Sequence, residues 1–183
     1  ESVNQRMSTY IADSEVSRFN QSLSTDWFSI SRETAEVVQK AQEISELSDG
    51  AFDITVQPLV ARWKFSRDKS KLTKIPDKAS LAADLKMVGY KKLQVRLDPP
   101  ALKKSVPGLQ IDLSAIAKGY AVDMVAERLQ AIGLDNFLIE VGGEVRASGE
   151  KPDGTSWRVG IEKPLPGARE PYQIIALYHQ ALA

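Results

Sequence analysis

The residues best suited to chemistry lie in residues 110–123, QIDLSAIAKGYAVD, where an acidic residue, a lysine and a glycine follow one another closely. Lys118 places a cation near the start of a predicted helix, the end at which the helix dipole disfavours positive charge. Gly119 costs about 1 kcal/mol relative to alanine inside a helix. Both residues suit a bound phosphate, because a helix start offers amide groups, a lysine offers a counter-charge and a glycine permits close approach. The alternative is that Gly119 permits tight helix packing while the Lys118 ammonium extends into water.

A second candidate is Asp53, a carboxylate between two apolar neighbours in residues 49–59, DGAFDITVQPL. Gly50 can adopt a positive φ after the preceding predicted helix, and Pro58 interrupts what would otherwise be a strand. An acid in such a segment either caps a loop through its own backbone or faces a ligand. The local sequence leaves both interpretations of Asp53 open.

The composition excludes several kinds of site. Lys and Arg number 24 and Asp and Glu number 24, so the net charge is zero and a nucleic-acid-binding protein is not indicated. There is no cysteine and a single histidine, His179, which excludes thiolate catalysis and Cys/His zinc sites. We expect a surface or packing role for His179. A metal would then be held by oxygen atoms, the ligands that Mg²⁺ and Ca²⁺ prefer.

Hydrophobic periodicity predicts the elements that must position these residues. Ser114 is predicted to cap the helix that carries Lys118, and Gly133 to end it, after a strand-like apolar run over residues 109–113. The apolar face of this helix is predicted to comprise Ala117, Tyr120, Ala121, Met124, Val125, Leu129 and Ile132. The other predicted helices cover residues 2–9, 13–20, 31–48 and 78–88, and the predicted strands cover residues 27–30, 93–97, 101–106, 137–141, 144–148, 157–161 and 172–178.

Helices grouped early and strands grouped late predict an α+β fold, in which amphipathic helices pack on a largely antiparallel sheet. The length of 183 residues and the hydrophobic content of 43% suit one domain. Residues 60–77 are rich in lysine and lack periodicity, so they are predicted to form a surface excursion that contains a helical turn. No apolar run approaches the length of about 18 residues that a membrane-spanning helix needs.

Five segments, in this order along the chain, resemble the ApbE family of FAD:protein FMN transferases. They are residues 7–20 (MSTYIADSEVSRFN), 49–59 (DGAFDITVQPL), 112–120 (DLSAIAKGY), 141–144 (VGGE) and 157–164 (WRVGIEKP). One such segment has little weight, but five in register over nearly the whole chain form a specific pattern. The resemblance implies an enzyme that cleaves the FAD pyrophosphate with Mg²⁺ and attaches FMN, through a phosphoester bond, to a threonine of an acceptor flavoprotein.

Other functions stay open at this point. Some family members resemble FAD pyrophosphatases, which would release FMN and AMP, and a non-catalytic FAD-binding protein is a third alternative. The resemblance also implies a location in the periplasm or at the cell envelope, where a lipoprotein anchor would hold the protein. Residues 67–78 would be either a solvated loop or part of a docking surface for the acceptor protein.

The resemblance assigns roles in the first part of the chain. Tyr10 would lie against the flavin, and Ala51, Phe52 and Asp53 would line the FAD site. Asp112 would contact FAD at the junction with the following helix. We therefore expect the carboxylates of Asp53 and Asp112 to face one cavity.

It also assigns roles in the second part of the chain. Ala115 would offer its backbone carbonyl to Mg²⁺, since a methyl side chain cannot ligate a cation. Lys118 would be catalytic and would contact FAD, adding positive charge at the scissile pyrophosphate. Gly142 and Gly143 would allow the backbone to approach the cofactor. Glu144, beside them, would also contact the cofactor or would only cap a turn.

Two parts of the family pattern have no counterpart in this sequence. Family members begin with a Met-Gly-Thr turn that contacts the flavin, and they continue past Ala183 into a segment whose aspartate and threonine hold the metal. We therefore expect the sequence to be most of one such domain, without its C-terminal part and inactive by itself. Because one carbonyl cannot hold Mg²⁺ tightly, we expect weak FAD binding, little dependence on Mg²⁺ and exposed apolar surface.

Overall fold

The computed structural model describes residues 2–63, 75–165, 167 and 170–183, and the chain divides into two compact units, Glu1–Ala117 and Lys118–Ala183. The first unit contains helices α1 (Ser2–Met7), α2 (Glu15–Gln21), α3 (Arg32–Leu47), α4 (Gln57–Arg62) and α5 (Lys78–Leu85), and strands β1 (Phe28–Ser29), β2 (Leu93–Leu97) and β3 (Pro100–Lys104). Helix α6 (Ala117–Ala131) leads into the second unit, which contains β4 (Phe137–Val141), β5 (Glu144–Ser148), β6 (Trp157–Glu162), β7 (Pro171–Leu177) and β8 (Ala181–Leu182).

Side-chain caps fix where helices α2 and α3 begin. The Ser14 hydroxyl accepts from the amide of Ser17 at 3.0 Å, and the Ser31 hydroxyl accepts from the amide of Thr34 at 3.3 Å. Each bond satisfies an amide that the first helical turn leaves without a partner. The Glu15 carboxylate accepts from the amide and hydroxyl of Ser31 and from the Thr34 hydroxyl, at 2.7–3.0 Å. This carboxylate therefore joins the starts of the two helices.

The core of the first unit lies between α3 and the antiparallel sheet β1–β3–β2. The strands predicted over residues 93–97 and 101–106 are confirmed as β2 and β3, which pair antiparallel as a hairpin. The buried apolar residues of this unit include Val16, Phe19, Ala35, Val37, Val38, Ala41, Ile54, Leu93, Ala101 and Leu102. The sequence pattern places Leu47 on the apolar face of the helix over residues 31–48, but in the structure Leu47 is 88% exposed at the last turn of α3. The prediction of an interrupted strand at Pro58 was also wrong, because Pro58 lies in the first turn of α4, where its missing amide costs nothing.

The apolar run over residues 109–113 is buried but is not a strand. Leu109, Ile111 and Leu113 have no exposed surface. The side chain of Asn20 replaces a neighbouring strand, because its Oδ1 accepts from the Ile111 amide and its Nδ2 donates to the Ile111 carbonyl, both at 2.8 Å. One side-chain amide therefore satisfies both backbone groups of Ile111, a buried residue in a segment that resembles a strand in sequence.

Helix α6 begins at Ala117, two residues later than a cap at Ser114 predicts, and Ser114 is not its cap. The amide and hydroxyl of Ser114 donate to Asp112 Oδ1 at 2.8 and 2.5 Å. The next residues form a turn in which the Ala117 amide donates to the Leu113 carbonyl at 2.8 Å. Gly133 ends the helix as predicted, with φ of 81°. The serine donates rather than accepts because the neighbouring carboxylate is the stronger acceptor.

The predicted apolar face of α6 was also wrong in part. The buried residues of the helix are Val122 and Ala126, whereas Met124 and Val125 are exposed. The helix carries more than one apolar stripe, and periodicity alone does not decide which stripe is covered.

The second unit is built from antiparallel hairpins, and all four predicted strands are confirmed. Strands β4, β5 and β8 form one sheet, and β6 pairs with β7 in another. The short strand β8, which pairs with β5, was not predicted. The core of this unit comprises Val145, Ala147 and Leu177, with Trp157, Val159, Ile175 and Leu182 packed against it. Helices together with antiparallel sheets confirm the α+β class.

Part of the predicted surface excursion over residues 60–77 lies outside the described residues. Residues 60–62 form the end of α4, and residues 64–74, which include most of the suggested docking run, are not described. In the described ranges, no helix is both long enough and apolar enough to cross a membrane.

Candidate functional site

Asp53 organises a loop of the first unit through both of its carboxylate oxygens. Oδ1 accepts from the amide and the hydroxyl of Thr55, each at 2.7 Å, and Oδ2 accepts from the amide of Tyr90 at 2.8 Å. The Thr55 hydroxyl accepts in turn from the amide of Gly89 at 2.7 Å. The carboxylate therefore joins the 53–56 segment to the loop that precedes β2. Of the two interpretations of Asp53, loop capping is the one that this geometry supports.

Asp112 lies on a segment that is directly bonded to the Asp53 region. The Asp112 amide donates to the Ile54 carbonyl at 2.8 Å. Its Oδ1 holds Ser114, as described above, and this leaves Oδ2 as the oxygen that could meet a ligand. The structure brings the backbones of the two acidic residues together. That their carboxylates face one cavity stays a prediction.

The remaining predicted residues of the first unit occupy surface positions. Tyr10 is 68% exposed in the turn between α1 and α2. Ala51 is exposed, and half-buried Phe52 is held by its amide, which donates to the Ser48 hydroxyl at 3.0 Å. Ala115 is exposed in the turn before α6. These placements allow contact with a flavin or a phosphate but do not test it.

The magnesium site that the resemblance implies is not complete in the described residues. Among them, no group of three or more His, Cys, Asp or Glu side chains could hold a metal ion. Ala115 contributes a carbonyl and Asp112 one carboxylate oxygen, whereas Mg²⁺ requires near-octahedral oxygen ligation. The donor set in hand therefore does not fit a magnesium site by itself.

A cavity of the first unit lies elsewhere. It has a volume of about 390 Å³ and is lined by Pro58, Ala61, Arg62, Asp84, Met87, Gly108 and Gln110. Arg62 binds Asp84 through two nitrogens at 2.6 and 2.8 Å, and this hydrogen bonding lowers the pKa of the Asp84 carboxyl. None of the predicted site residues is among its described lining residues, and Arg62, the cation among them, is already paired.

In the second unit the structure pairs Lys118 with Glu144. Lys118 Nζ lies 2.6 Å from Glu144 Oε1 and donates to the Gly142 carbonyl at 3.2 Å. The lysine side chain is 45% exposed and the glutamate side chain 19%. The ammonium is therefore not simply extended into water but is anchored at the turn between β4 and β5. An ammonium fixed in this way can offset charge on a phosphate.

The backbone conformation of the turn between β4 and β5 requires glycine at positions 142 and 143. Gly142 has φ of 60° and Gly143 φ of 101°, values that other residues rarely adopt. A methyl group on Gly142 would lie 3.2 Å from Lys118 Cδ, so the lysine stem packs on this glycine. By contrast, a methyl group on Gly119 would meet no described atom within 4 Å, so tight packing does not account for that residue.

The single histidine has a more constrained position than its sequence context indicated. His179 Nδ1 lies 3.1 Å from Ser148 Oγ, and its ring packs edge-on against Tyr178 with centroids 4.3 Å apart. Ser148 is buried, and its carbonyl accepts from Trp157 Nε1 at 3.0 Å. His179 also has φ of 48°, in the left-handed region. No local sequence signal revealed its partner, Ser148.

Comparison with known proteins shows a match over the whole chain. The sequence profile of the ApbE family matches residues 1–183. The chain is 42% identical over 183 residues to a FAD:protein FMN transferase of Vibrio cholerae, covering 100% of the chain and 54% of that protein. It is 39% identical over 185 residues to a FAD:protein FMN transferase of Haemophilus influenzae, covering 99% and 53%. The chain thus spans about half the length of these curated relatives.

Solved structures agree with this match. The flavin transferase ApbE from Vibrio cholerae superposes with a TM-score of 0.89 and 41% identity, covering 99% of this chain and 58% of that one. An ApbE protein from Thermotoga maritima gives a TM-score of 0.87 at 28% identity, covering 100% and 58%. The resemblance inferred from five short segments is confirmed by sequence and by structure: the chain belongs to the ApbE family.

Proposed function

We propose that the protein is an FAD:protein FMN transferase. The observation that carries the proposal is the match of all 183 residues to the ApbE family, in which the relatives at 42% and 39% identity bear this name. The anchored Lys118 ammonium supports it, because the reaction needs positive charge beside a pyrophosphate.

The chemistry is a phosphoryl-group transfer. A hydroxyl oxygen of the acceptor protein forms a bond to the phosphorus that bears riboflavin, and the bond from that phosphorus to the bridging oxygen breaks. AMP leaves with the bridging oxygen, and the hydroxyl proton passes to a base. Negative charge builds on the phosphate oxygens and on the leaving group, so a fixed cation stabilises the transition state more than the bound substrate.

Lys118 is the residue that we assign to this charge. Its ammonium has two anchors, Glu144 and the Gly142 carbonyl, and its side chain is nearly half exposed. Because the Lys118 ammonium is already oriented, it does not have to reorganise when negative charge develops in the transition state.

Two finer parts of the proposal rest on the resemblance alone. They are a threonine as the acceptor residue and a requirement for Mg²⁺. No step is assigned to the metal, since the described residues supply too few oxygen ligands for it.

The test is an incubation of the full-length protein with FAD, Mg²⁺ and a threonine-bearing acceptor peptide, beside the same peptide with threonine replaced by valine. The proposal predicts a covalently yellow threonine peptide, release of AMP and an unlabelled valine peptide. FMN and AMP without a labelled peptide would mean an FAD pyrophosphatase, with water in place of the hydroxyl. Tight FAD binding without products would mean a binding protein.

A further inference from the structure

Glu144 contacts the Lys118 ammonium from the buried side. One carboxylate oxygen, Oε1, lies 2.6 Å from Lys118 Nζ, and the glutamate side chain is the less exposed partner, at 19% against 45%. The stem of the lysine lies on Gly142, whose carbonyl is the second anchor of the ammonium. The carboxylate therefore lies behind the ammonium, and the ammonium faces outward.

The other oxygen of this carboxylate shows that the arrangement is not explained by stability. Glu144 Oε2 is buried and has no hydrogen-bond partner in the described part of the chain. A buried carboxylate oxygen without a partner costs free energy, so such a group calls for a reason other than folding.

We propose that Glu144 is a positioning residue for Lys118, holding the ammonium at one point and offsetting its charge until a phosphate binds. The proposal rests on the proposed function for its effect on turnover but not for its effect on anion binding. Two consequences have opposite signs. The negative charge of Glu144 weakens the binding of an anion beside Lys118 in the ground state. The contact of Glu144 with the ammonium keeps Lys118 aligned with the charge that develops in the transition state.

The test compares Glu144→Gln with Glu140→Gln in the full-length protein. Glu140 is the matched control because it lies near the end of β4, where its Oε1 accepts from the Gly143 amide of the same turn at 2.6 Å. A glutamine oxygen can accept that bond too. For Glu144→Gln we expect calorimetric affinity for inorganic pyrophosphate to rise roughly threefold, as the loss of one screened charge implies. We expect kcat for peptide labelling to fall about tenfold or more, because misplacement of a catalytic group is costly. Glu140→Gln should change neither quantity.

A double-mutant cycle and a conservative variant separate positioning from damage to the fold. In the Lys118→Ala background, Glu144→Gln should leave kcat unchanged, since its effect on alignment acts through Lys118. Glu144→Asp should return the affinity to that of the wild type, because the charge is restored, while kcat stays reduced because the shorter carboxylate holds Lys118 elsewhere.

Two results would overturn the inference. One is unchanged or weaker pyrophosphate binding by Glu144→Gln. The other is an equal loss of kcat from this substitution whether or not Lys118 is present. A wild-type protein that labels no peptide contradicts the proposed function alone, because the pyrophosphate titrations decide the role of Glu144 without turnover.

Discussion

Replacing Asp53 with asparagine tests whether this residue organises the loop. The carboxylate accepts three hydrogen bonds, two from Thr55 and one from the Tyr90 amide. Asparagine has a single acceptor oxygen, which can keep both bonds from Thr55 only if its NH₂ group faces the Tyr90 N–H. One charge-assisted bond is then lost and two donors oppose each other. We expect a loss of about 2 kcal/mol in the free energy of unfolding, or roughly 4–8 °C in Tm.

Urea unfolding and amide hydrogen exchange measure the two parts of this prediction. The Tyr90 amide should lose protection in Asp53→Asn. The control is Asp49→Asn, the same change on an exposed residue of the same segment, where φ of 50° suits asparagine. It should stay within about 0.5 kcal/mol of the wild type. If Asp53→Asn unfolds like the wild type and keeps Tyr90 protected, but binds FAD more weakly, then Asp53 faces a ligand and the loop-capping interpretation is wrong.

Three further predictions concern single side chains. Lys118→Ala should lower kcat more than it lowers FAD affinity, because the transition state carries more charge than the bound substrate; an unchanged kcat with a raised KM would make the lysine a docking contact only. Lys104 is buried and donates to the carbonyls of Phe19 and Leu109 at 3.1 and 3.0 Å, and burial lowers its pKa from the ordinary 10.5. The unfolded chain therefore binds this proton more tightly than the folded chain, so the wild type should gain stability relative to Lys104→Met as pH rises from the lowered folded pKa towards 10.5. A difference in urea unfolding that stays flat or shrinks over that window would count against this. Ser148→Ala should shift the ring ¹⁵N resonances of His179, the one histidine in the sequence, whereas unchanged resonances would show that Ser148 does not hold the ring.

Local structure followed from the sequence where its causes are local. The helices around residues 13–20 and 31–48 form as predicted, and Gly133 ends α6, because a capping hydroxyl or a positive φ acts within one turn of its own position. The hairpins β2–β3 and β4–β5 followed from alternating residues around short turns. The α+β class followed from the order of these elements.

Packing was predictable only in part, because an apolar pattern shows which residues can be buried and not what covers them. Leu109, Ile111 and Leu113 are buried as expected, yet the backbone amide and carbonyl of Ile111 bond to Asn20, a side chain 91 positions away, rather than to a strand. Helix α6 buries Val122 and Ala126 although other stripes are as apolar. Each outcome depends on a surface formed by distant segments.

The sequence by itself determined the family and the residues that could do chemistry, since motif order and residue type are properties of the chain. The tertiary structure decided what those residues contact. Asp53 accepts from the Tyr90 amide, 37 positions away, so its carboxylate is occupied by backbone donors. Lys118 is anchored by Glu144, which the motif alone placed only beside the cofactor. A charged side chain takes its role from the donors and acceptors that the fold brings within about 3 Å, and those distances arise only when separate segments pack together.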